Sequence, residues 1–479
     1  MSHNKLGVSL ICTALITSIL SGCQHTPEVS PASSPVELTV WTYYNGEQLA
    51  AFNSLVDEFN KTVGQEQNIS IESYSQGSVT DLETNLMSAA EQKVGASELP
   101  SIFSGYVDTA YALDEMGLLV DLSGYLNEEE RSAYIDGYLN EGNFTGDGTL
   151  KLFPIVKSTE LLFLNDTDWK PFAEATGATY EDLSTIEGLI STAERYYNWT
   201  DAQTEEPDDG RALFGRDAMA NYLLVGAKQL GTTIFDVKDG KMTLNFDKKT
   251  VRTLWDSYYV PFVKGYFAAS GRFRSDDVKT GNLIAYQGSS SSASFFPTQV
   301  STSDSESHEI QLKVLPAPKF KDGAAVAVQQ GAGMAVTKGS DEEVNAAVTF
   351  LKWITQPEHN IKFSVESGYM PVTKYASNID HIEESGLSIS DSIRDILTVS
   401  LDTVNSNELY TTSAFSGYKD ARQVLEYALS DQASNDWSII QDRISQGMSR
   451  EEAEKEFLTD DAFESWYQDT LTKLQEFQD

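Results

Sequence analysis

The chain has 479 residues, 40% of them hydrophobic, which is too long for one compact core and predicts two or three domains. A net charge of -38 argues against a nucleic-acid partner, because contacts to phosphate require clustered lysine and arginine. The two cysteines are Cys12 and Cys23, so the body beyond them has no disulfide, thiolate metal site or cysteine nucleophile. We expect neither a metal nor a cofactor.

The amino terminus has the pattern of an export signal. Lys5 precedes a largely apolar run over residues 6–20, which is too short to span a bilayer comfortably. The following Leu-Ser-Gly-Cys23 resembles the lipobox of bacterial lipoproteins, in which the cysteine is acylated. The sequence therefore predicts a lipoprotein signal peptide over residues 1–22 and a lipidated Cys23. A secretory signal with a chance cysteine is the alternative.

Residues 23–35 follow the signal and contain three prolines among serines, so they are predicted to form a flexible spacer. The body then begins with apolar residues at alternate positions over 36–41, typical of a strand. Further strands are predicted at 69–71 and 100–103, and helices at 49–59, 82–90 and 110–116. This alternation predicts parallel strands joined by crossover helices.

Two apolar runs, 152–155 and 161–165, together are long enough to leave one lobe and enter another. A second α/β region is predicted beyond them. Its helices include one opened by a capping box at Ser184 and Glu187 and one over residues 218–230. A strand at 283–286 and a helix around 293–300 follow.

The remaining third of the chain begins with strand-like segments at 325–328 and 334–336. Ser340 and Glu343 form a capping box that predicts the start of another helix. Pro357 begins a further helix, which is predicted to end at Gly368. Beyond residue 373 the pattern is polar and helical.

Small polar residues form a turn at 288–292, where backbone N–H groups and hydroxyls can converge at a helix start. Ser289 and Ser290 are therefore candidate ligands for an anion or for hydroxyl groups, although a flexible surface turn has the same composition. The glycines at 331 and 333 lack the third glycine of a dinucleotide fingerprint and indicate a close backbone approach.

Trp41, Tyr43 and Tyr44 leave the first strand at its carboxyl end, where open parallel sheets place their ligands. Their rings could stack on sugars, and the alternative, a core position, is at least as strong for Trp41. No catalytic residue is predicted, since the sequence contains no GxSxG motif and no local motif selects a carboxylate pair among the 72 acids. A surface hydrolase and a structural or adhesive lipoprotein remain alternatives.

From about Val36 onward the chain resembles the extracellular solute-binding lipoproteins that serve ABC importers, in the carbohydrate-binding class. The residues that carry the resemblance are Leu-Leu-Val-Asp-Leu at 118–122, the segment 154–165, Gly-Asn-Leu-Ile-Ala at 281–285 and, most specifically, the block from Gly331 to Val372. Within that class the pattern is most similar to glycerol-3-phosphate-binding proteins.

The resemblance implies an α/β, two-lobed, periplasmic-binding-protein-like fold of type II, with a helical C-terminal part. Its hinge strands would cross between the lobes at about residues 154–160, 328–333 and 369–373. The N-terminal lobe would comprise 36–156 plus 332–370, and the C-terminal lobe 157–331 plus 371–479. Ligand-binding positions implied by it are Ser158, Ser289, Gly331, Tyr369 and Arg422, the last suited to a phosphate. Asp108 lies one step from the family's glutamate position, which falls on Val107, and the family's early tyrosine falls near Ser78 or Val79.

The function implied is capture of a carbohydrate or polyol phosphate, such as glycerol 3-phosphate, by hinge closure and its delivery to an ABC permease in the membrane. We expect a monomer without enzymatic activity. The lipid on Cys23 would hold it at the outer face of the cell membrane, in an extracellular or periplasmic location.

Overall fold

The structure is a computed structural model that describes residues 34–238, 240–303 and 306–478. The predicted signal peptide, Cys23 and nearly all of the spacer lie outside the described residues. The strands, in chain order, are β1 (Val36–Thr42), β2 (Ile69–Ser75), β3 (Ile102–Gly105), β4 (Glu160–Asn165), β5 (Phe214–Arg216), β6 (Phe235–Lys238), β7 (Lys241–Leu244), β8 (Ala285–Ser289), β9 (Gln299–Ser303), β10 (Glu306–Glu309), β11 (Leu312–Pro316), β12 (Val326–Val328), β13 (Gly333–Val336) and β14 (Glu408–Tyr410).

The helices alternate with these strands and dominate the last hundred residues. They are α1 (Gly46–Lys61), α2 (Val63–Gln67), α3 (Val79–Ala90), α4 (Val107–Glu115), α5 (Glu128–Ala133), α6 (Asp136–Asn140), α7 (Asp166–Thr176), α8 (Ile186–Asp201), α9 (Met219–Gln229), α10 (Lys248–Val263), α11 (Arg274–Lys279), α12 (Asp341–Ile354), α13 (Pro357–Ser367), α14 (Ile379–Glu384), α15 (Asp391–Ser406), α16 (Tyr418–Ser445), α17 (Arg450–Glu454) and α18 (Asp460–Gln475). Among the described residues, no helix has both the length and the apolar character needed to span a bilayer.

Two four-stranded sheets organise the body. The first has the order β13-β3-β1-β2, in which β1 is parallel to β2 and β3 while β13 is antiparallel to β3. The second has the order β11-β4-β8-β5, in which β4 is antiparallel to both neighbours and β5 is parallel to β8. The predicted parallel, crossover-connected strands are therefore confirmed for β1, β2 and β3.

Each sheet lies in its own hydrophobic core, and we call the two parts the N-terminal and C-terminal lobes. The first core draws its buried residues from 38–156, 332–372 and Ala414. The second draws them from 162–320 and 415–474. A smaller cluster joins α13 to α14 and α15, and α15 also buries Ile396 against side chains of β4 and β11. The chain thus passes between the cores several times.

Local signals located most of these elements correctly. The predicted helices at 49–59, 82–90 and 218–230 correspond to α1, α3 and α9, and Ser340 caps α12 with the expected reciprocal bonds to Glu343. The cap of α8 is displaced by one residue: Thr185, rather than Ser184, accepts the hydrogen bond from the Gly188 N–H at 3.1 Å.

The helix predicted around residues 293–300 is wrong. Residues Ser290–Phe295 form a short 3-10 helix, and the chain then continues as β9. Strand β9 pairs with β10, with Val300 opposite His308. Pairing with a strand later in the chain satisfies the backbone of this segment, which a helical reading of the local pattern could not anticipate.

Candidate functional site

The connections between the lobes pair with one another at the centre of the molecule. Lys157 and Met370 exchange backbone hydrogen bonds of 3.0 and 2.7 Å, and Ser158 and Gln330 exchange two of 2.9 Å. The crossing segments predicted near residues 154–160, 328–333 and 369–373 therefore lie side by side. This places Ser158 and Tyr369, which adjoins Met370, beside one cleft between the cores.

Lys157 and Gly331 determine the packing at this centre. The fully buried Lys157 side chain forms an ion pair with Glu141 and donates a hydrogen bond of 2.7 Å to the Gly331 carbonyl oxygen. Gly331 has a φ of +91°, and a Cβ there would lie 3.0 Å from Lys157 Cα. Only glycine fits without strain, which is the close backbone approach that the sequence predicted.

Tyrosines line the N-terminal side of the cleft. Tyr43 follows β1 and stacks on Tyr106, which follows β3, with ring centroids 6.1 Å apart and planes inclined by 18°. The Tyr43 hydroxyl lies 3.1 Å from the Tyr369 hydroxyl. Burial raises the pKa of Tyr43, Tyr106 and Tyr369 above the usual tyrosine value. The hydroxyls therefore stay protonated and can donate to a solute.

These tyrosines form part of a cavity of about 240 Å³, which we call the inner pocket. Four of the predicted residues, Tyr43, Ser158, Ser289 and Tyr369, line it. The complete lining is Tyr43, Asn45, Gln48, Tyr106, Ser158, Ser289, Ser291, Ser292, Phe295, Gln330 and Tyr369. Its walls come from the ends of β1 and β3 on one side and from the turn after β8 on the other.

Three predicted residues lie beside the inner pocket rather than on its wall. Trp41 and Tyr44 are buried in the N-terminal core, where Tyr44 packs edge-on against Tyr43 with ring centroids 5.1 Å apart. Ser290 is fully buried, and its backbone N–H donates a hydrogen bond of 2.7 Å to the Thr159 carbonyl oxygen. These side chains support the residues that line the cavity.

A second cavity of about 260 Å³, the arginine pocket, adjoins the first. Tyr106 and Gln330 line both cavities, and the arginine pocket brings together the two other predicted residues, Asp108 in the first turn of α4 and Arg422 on α16. Burial disfavours the Arg422 cation, but its anionic and hydroxyl neighbours outweigh that effect and raise the pKa of Arg422. The guanidinium therefore stays charged within the cleft.

A buried network holds Arg422 from behind. Its Nη2 donates to Asn221 Oδ1 at 2.7 Å, and Asn221 Nδ2 donates to Glu160 Oε1 at 2.7 Å. Glu160 Oε2 accepts from Gln287 at 2.6 Å and from Arg216 at 3.1 Å. The Glu160 carboxylate thus fixes which way the Asn221 amide faces, and the amide oxygen in turn fixes Arg422.

The lobes also touch directly at the cleft. Lys419 on α16 forms an ion pair with Glu83 on α3. Gln48 on α1 donates a hydrogen bond of 3.3 Å to the Ser291 carbonyl oxygen. Since each pair joins elements of different cores, the structure shows the lobes in contact around the cleft.

Comparison with known proteins decides the family. Residues 54–387 match the family described as bacterial extracellular solute-binding protein. The chain belongs to this family. The match includes Tyr106, Asp108, Ser158, Ser289 and Tyr369, whereas Tyr43 and Arg422 lie outside it. The family resemblance read from the sequence is thereby confirmed at this level, and no curated protein matches the chain.

Solved structures share the fold of this solute-binding protein. The cyclic alpha-maltosyl-1,6-maltose binding protein from Arthrobacter globiformis has a TM-score of 0.67 at 18% identity, covering 92% of this chain and 100% of that chain. UgpB from Mycobacterium tuberculosis, in complex with glycerophosphocholine, has a TM-score of 0.64 at 18% identity, covering 93% and 99%. The GacH receptor of Streptomyces glaucescens GLA.O has a TM-score of 0.66 at 13% identity, covering 93% and 100%. The expected two-lobed α/β fold is confirmed.

Sequence reasoning missed several residues of the solute-binding protein's cleft. Tyr106 follows β3 at its carboxyl end, just as Tyr43 follows β1, so the rule that selected Tyr43 could have found it. Asn221 lies within the run predicted as α9, and nothing in the local pattern distinguishes it. Gln48 on α1 and Gln330 in a crossing segment carry no motif either.

The carboxylates of the cleft do not form a free pair. Glu83 is in an ion pair with Lys419, and Glu141 is in one with Lys157. Asp108 is the third carboxylate that lines the arginine pocket. In the described part of the chain, no group of three or more histidine, cysteine or acidic residues could hold a metal ion. The hydrolase alternative, which needs two available carboxyl groups across a scissile bond, is not favoured by this geometry.

Proposed function

We propose that this protein is the receptor of an ABC importer and captures a carbohydrate or a polyol phosphate, such as glycerol 3-phosphate, between its lobes. The observation that carries the proposal is the inner pocket, whose walls combine tyrosine rings and hydroxyls with serine and glutamine side chains from both sides of the cleft. Aromatic faces suit the C–H surface of a sugar or polyol, and the polar groups suit its hydroxyls.

The cavity volumes favour a small solute. The inner and arginine pockets measure about 240 and 260 Å³ in a state with the lobes in contact, whereas sites for drug-sized molecules are roughly 300–1,000 Å³. A head group of one ring or one short polyol fits this space. Because its contacts come from both lobes, the free energy of binding favours the closed state, which a membrane permease can recognise.

The proposed site comprises ten residues with distinct roles. Tyr43, Ser158, Ser289 and Tyr369 contact the hydroxylated part, and Arg422 with Asp108 contacts the more polar end. Trp41, Tyr44, Ser290 and Gly331 shape the walls from behind. The lobes themselves are proposed to comprise 36–156 plus 332–370 and 157–331 plus 371–479.

Isothermal titration of the purified protein tests this function. The panel consists of neutral sugars, glycerol, glycerol 3-phosphate and sugar phosphates, each titrated under identical conditions. We expect heat of binding, with one-to-one stoichiometry, for at least one member. The proposal would be contradicted if no member of the panel binds. Enzymatic turnover of a bound sugar would instead favour the alternative of a surface hydrolase.

Arg422→Ala should weaken binding of a phosphorylated solute by about 10–100-fold, because hydrogen bonds to charged groups contribute about 1.5–3 kcal/mol. Binding of the corresponding neutral solute should weaken by less than about threefold, since that solute has no phosphate group for the Arg422 guanidinium to contact. The measurement is the dissociation constant of each solute by titration. Arg394→Ala is the control, because Arg394 is paired with Glu383 and Asp391 on the surface. An equal loss for both solutes would contradict the phosphate role.

We also propose that a lipid on Cys23 holds the receptor at the outer face of the cell membrane. The proposal is supported by the Leu-Ser-Gly-Cys pattern and by membership of an extracellular family. Cys23→Ala should release the protein from the membrane fraction of the producing bacterium. Mass spectrometry of the mature amino-terminal peptide should show an acylated Cys23, and an unmodified peptide would contradict it.

A further inference from the structure

A third cavity, which we call the outer cavity, opens beside the inner pocket on the C-terminal lobe. It measures about 710 Å³ and is larger than either pocket described above. Asn45, Ser292 and Phe295 line both the outer cavity and the inner pocket. A solute whose first ring occupies the inner pocket can therefore extend into the outer cavity past the Phe295 ring.

Four aromatic side chains, Phe273, Tyr286, Phe295 and Phe296, line this cavity. Phe295 and Phe273 are 54% and 53% exposed, which is unusual for two large apolar side chains on one concave surface. Phe296 stacks on Tyr286 at 6.2 Å and completes the apolar wall. The exposed rings are placed where a ligand, rather than the protein core, would cover them.

The two exposed rings differ in what already covers them. The Arg272 guanidinium lies 5.2 Å from the centroid of the Phe273 ring and occupies one of its faces. For Phe295, no ring contact and no cation is found within the described part of the chain. Phe295 is therefore the ring with a face available to a bound molecule, and it stands at the junction of the two cavities.

A carboxylate gives the outer cavity a polar side. Asp217 follows β5, lines the cavity, and its Oδ1 accepts a hydrogen bond of 3.2 Å from the Arg274 N–H. Burial raises the pKa of Asp217 to about 6, and Arg274 Nε lies 3.7 Å from its Oδ1. A carboxyl group beside aromatic rings suits a group that presents a C–H face and hydroxyl donors at once.

We propose that the outer cavity is a subsite for a second sugar ring of the same solute, with Phe295 stacking on the ring and Asp217 accepting from its hydroxyls. The proposal rests on the proposed function, because it needs a first ring in the inner pocket. Within the carbohydrate branch of that function it names the substrate class more narrowly: a solute of at least two linked sugar rings rather than a monosaccharide.

A chain-length series tests the subsite. Glucose, galactose and xylose, the disaccharides maltose, cellobiose, lactose and xylobiose, and phenyl β-glucoside are titrated into wild type and Phe295→Ala. In wild type we expect a disaccharide to bind about tenfold more tightly than its monosaccharide, the gain typical of one stacked ring with its hydrogen bonds. Phe295→Ala should remove most of this gain, so that the ratio of the monosaccharide to the disaccharide dissociation constant falls from about tenfold to less than about twofold.

Tyr375→Ala is the matched control. Tyr375 is 55% exposed, but its ring stacks on His381 with centroids 4.0 Å apart and lines none of the three cavities. It should leave both dissociation constants unchanged. Asp217→Asn is a second variant, which keeps the size of the side chain and should also reduce the gain in affinity of the disaccharide over the monosaccharide. It tests the subsite even if Phe295→Ala does not fold normally.

The outcomes separate the two proposals. If no sugar binds, both the proposed carbohydrate function and the subsite are wrong. If sugars bind but disaccharides gain nothing over monosaccharides, or if Phe295→Ala weakens both equally, the subsite alone is wrong. If phenyl β-glucoside gains as much as the disaccharide through Phe295, and Asp217→Asn has no effect, the cavity takes an apolar ring and the second-sugar assignment is overturned.

Discussion

Glu160→Leu is expected to lower the free energy of unfolding by about 3–5 kcal/mol, because it removes one partner of a buried ion pair. Glu160 and Arg216 are 4% and 6% exposed, and the carboxylate also accepts hydrogen bonds from Asn221 and Gln287. Leucine would leave a buried guanidinium without its counter-charge and two amide donors without an acceptor. The quantity to measure is the free energy of unfolding in urea.

Two further variants show whether the charge is the cause. In Glu160→Leu with Arg216→Met both charges are gone, so we expect this protein to be clearly more stable than the single variant. Glu383→Gln breaks a half-exposed pair with Arg394 and should change stability by less than about 1 kcal/mol. The argument would be contradicted if the free energy of unfolding of Glu160→Leu lies within about 1 kcal/mol of the wild-type value, or if the double variant is no more stable than Glu160→Leu.

Gly331→Ala is expected to destabilise the protein by about 3 kcal/mol, the sum of backbone strain and overpacking. The residue has a φ of +91°, and the new Cβ would lie 3.0 Å from Lys157 Cα and 3.2 Å from the Ser158 backbone nitrogen. Both contacts are with backbone atoms, which cannot rotate away. Because these atoms belong to the crossing segments, we also expect weaker solute binding in the protein that remains folded.

Gly386→Ala is the matched control for this prediction. Gly386 has a φ of +75°, yet a Cβ there would meet nothing within 4 Å. This substitution should lower the free energy of unfolding by only about 1 kcal/mol, which is the conformational strain of a non-glycine residue at positive φ. The difference between the two alanine variants, measured by urea unfolding, isolates the close approach of the crossing segments. Equal losses would show that packing around Gly331 does not matter.

Local patterns predicted the elements whose character depends on neighbours in the sequence. Alternating apolar residues identified β1, and helical spacing identified α1, α3 and α9. The error at residues 293–300 has a clear physical cause, since β9 is stabilised by pairing with β10 and not by its own periodicity. The antiparallel position of β13 beside β3 likewise depends on a partner more than two hundred residues away in the chain.

In the candidate site, too, some residues could be predicted from local sequence and others depend on distant partners. Tyr43 could be selected because a strand end in a parallel sheet is a defined location. The sequence offered a core position as an alternative for Trp41, but the strand pattern did not show that Tyr44 turns into the core. The Asn221 amide could not be selected at all. It meets Glu160 across 61 residues and Arg422 across 201, so its role exists only when three distant elements pack together.

The sequence by itself determined the alternation of strands and helices, the small-residue turn after β8, the requirement for glycine at 331 and the resemblance to solute-binding proteins. These properties depend on backbone sterics and short-range periodicity, which a few consecutive residues specify. Only the tertiary structure decided which polar groups share a cavity, how Glu160 orients Arg422, and that Phe295 stands exposed between two cavities. Such properties depend on long-range packing, in which each contact joins residues that no local pattern relates.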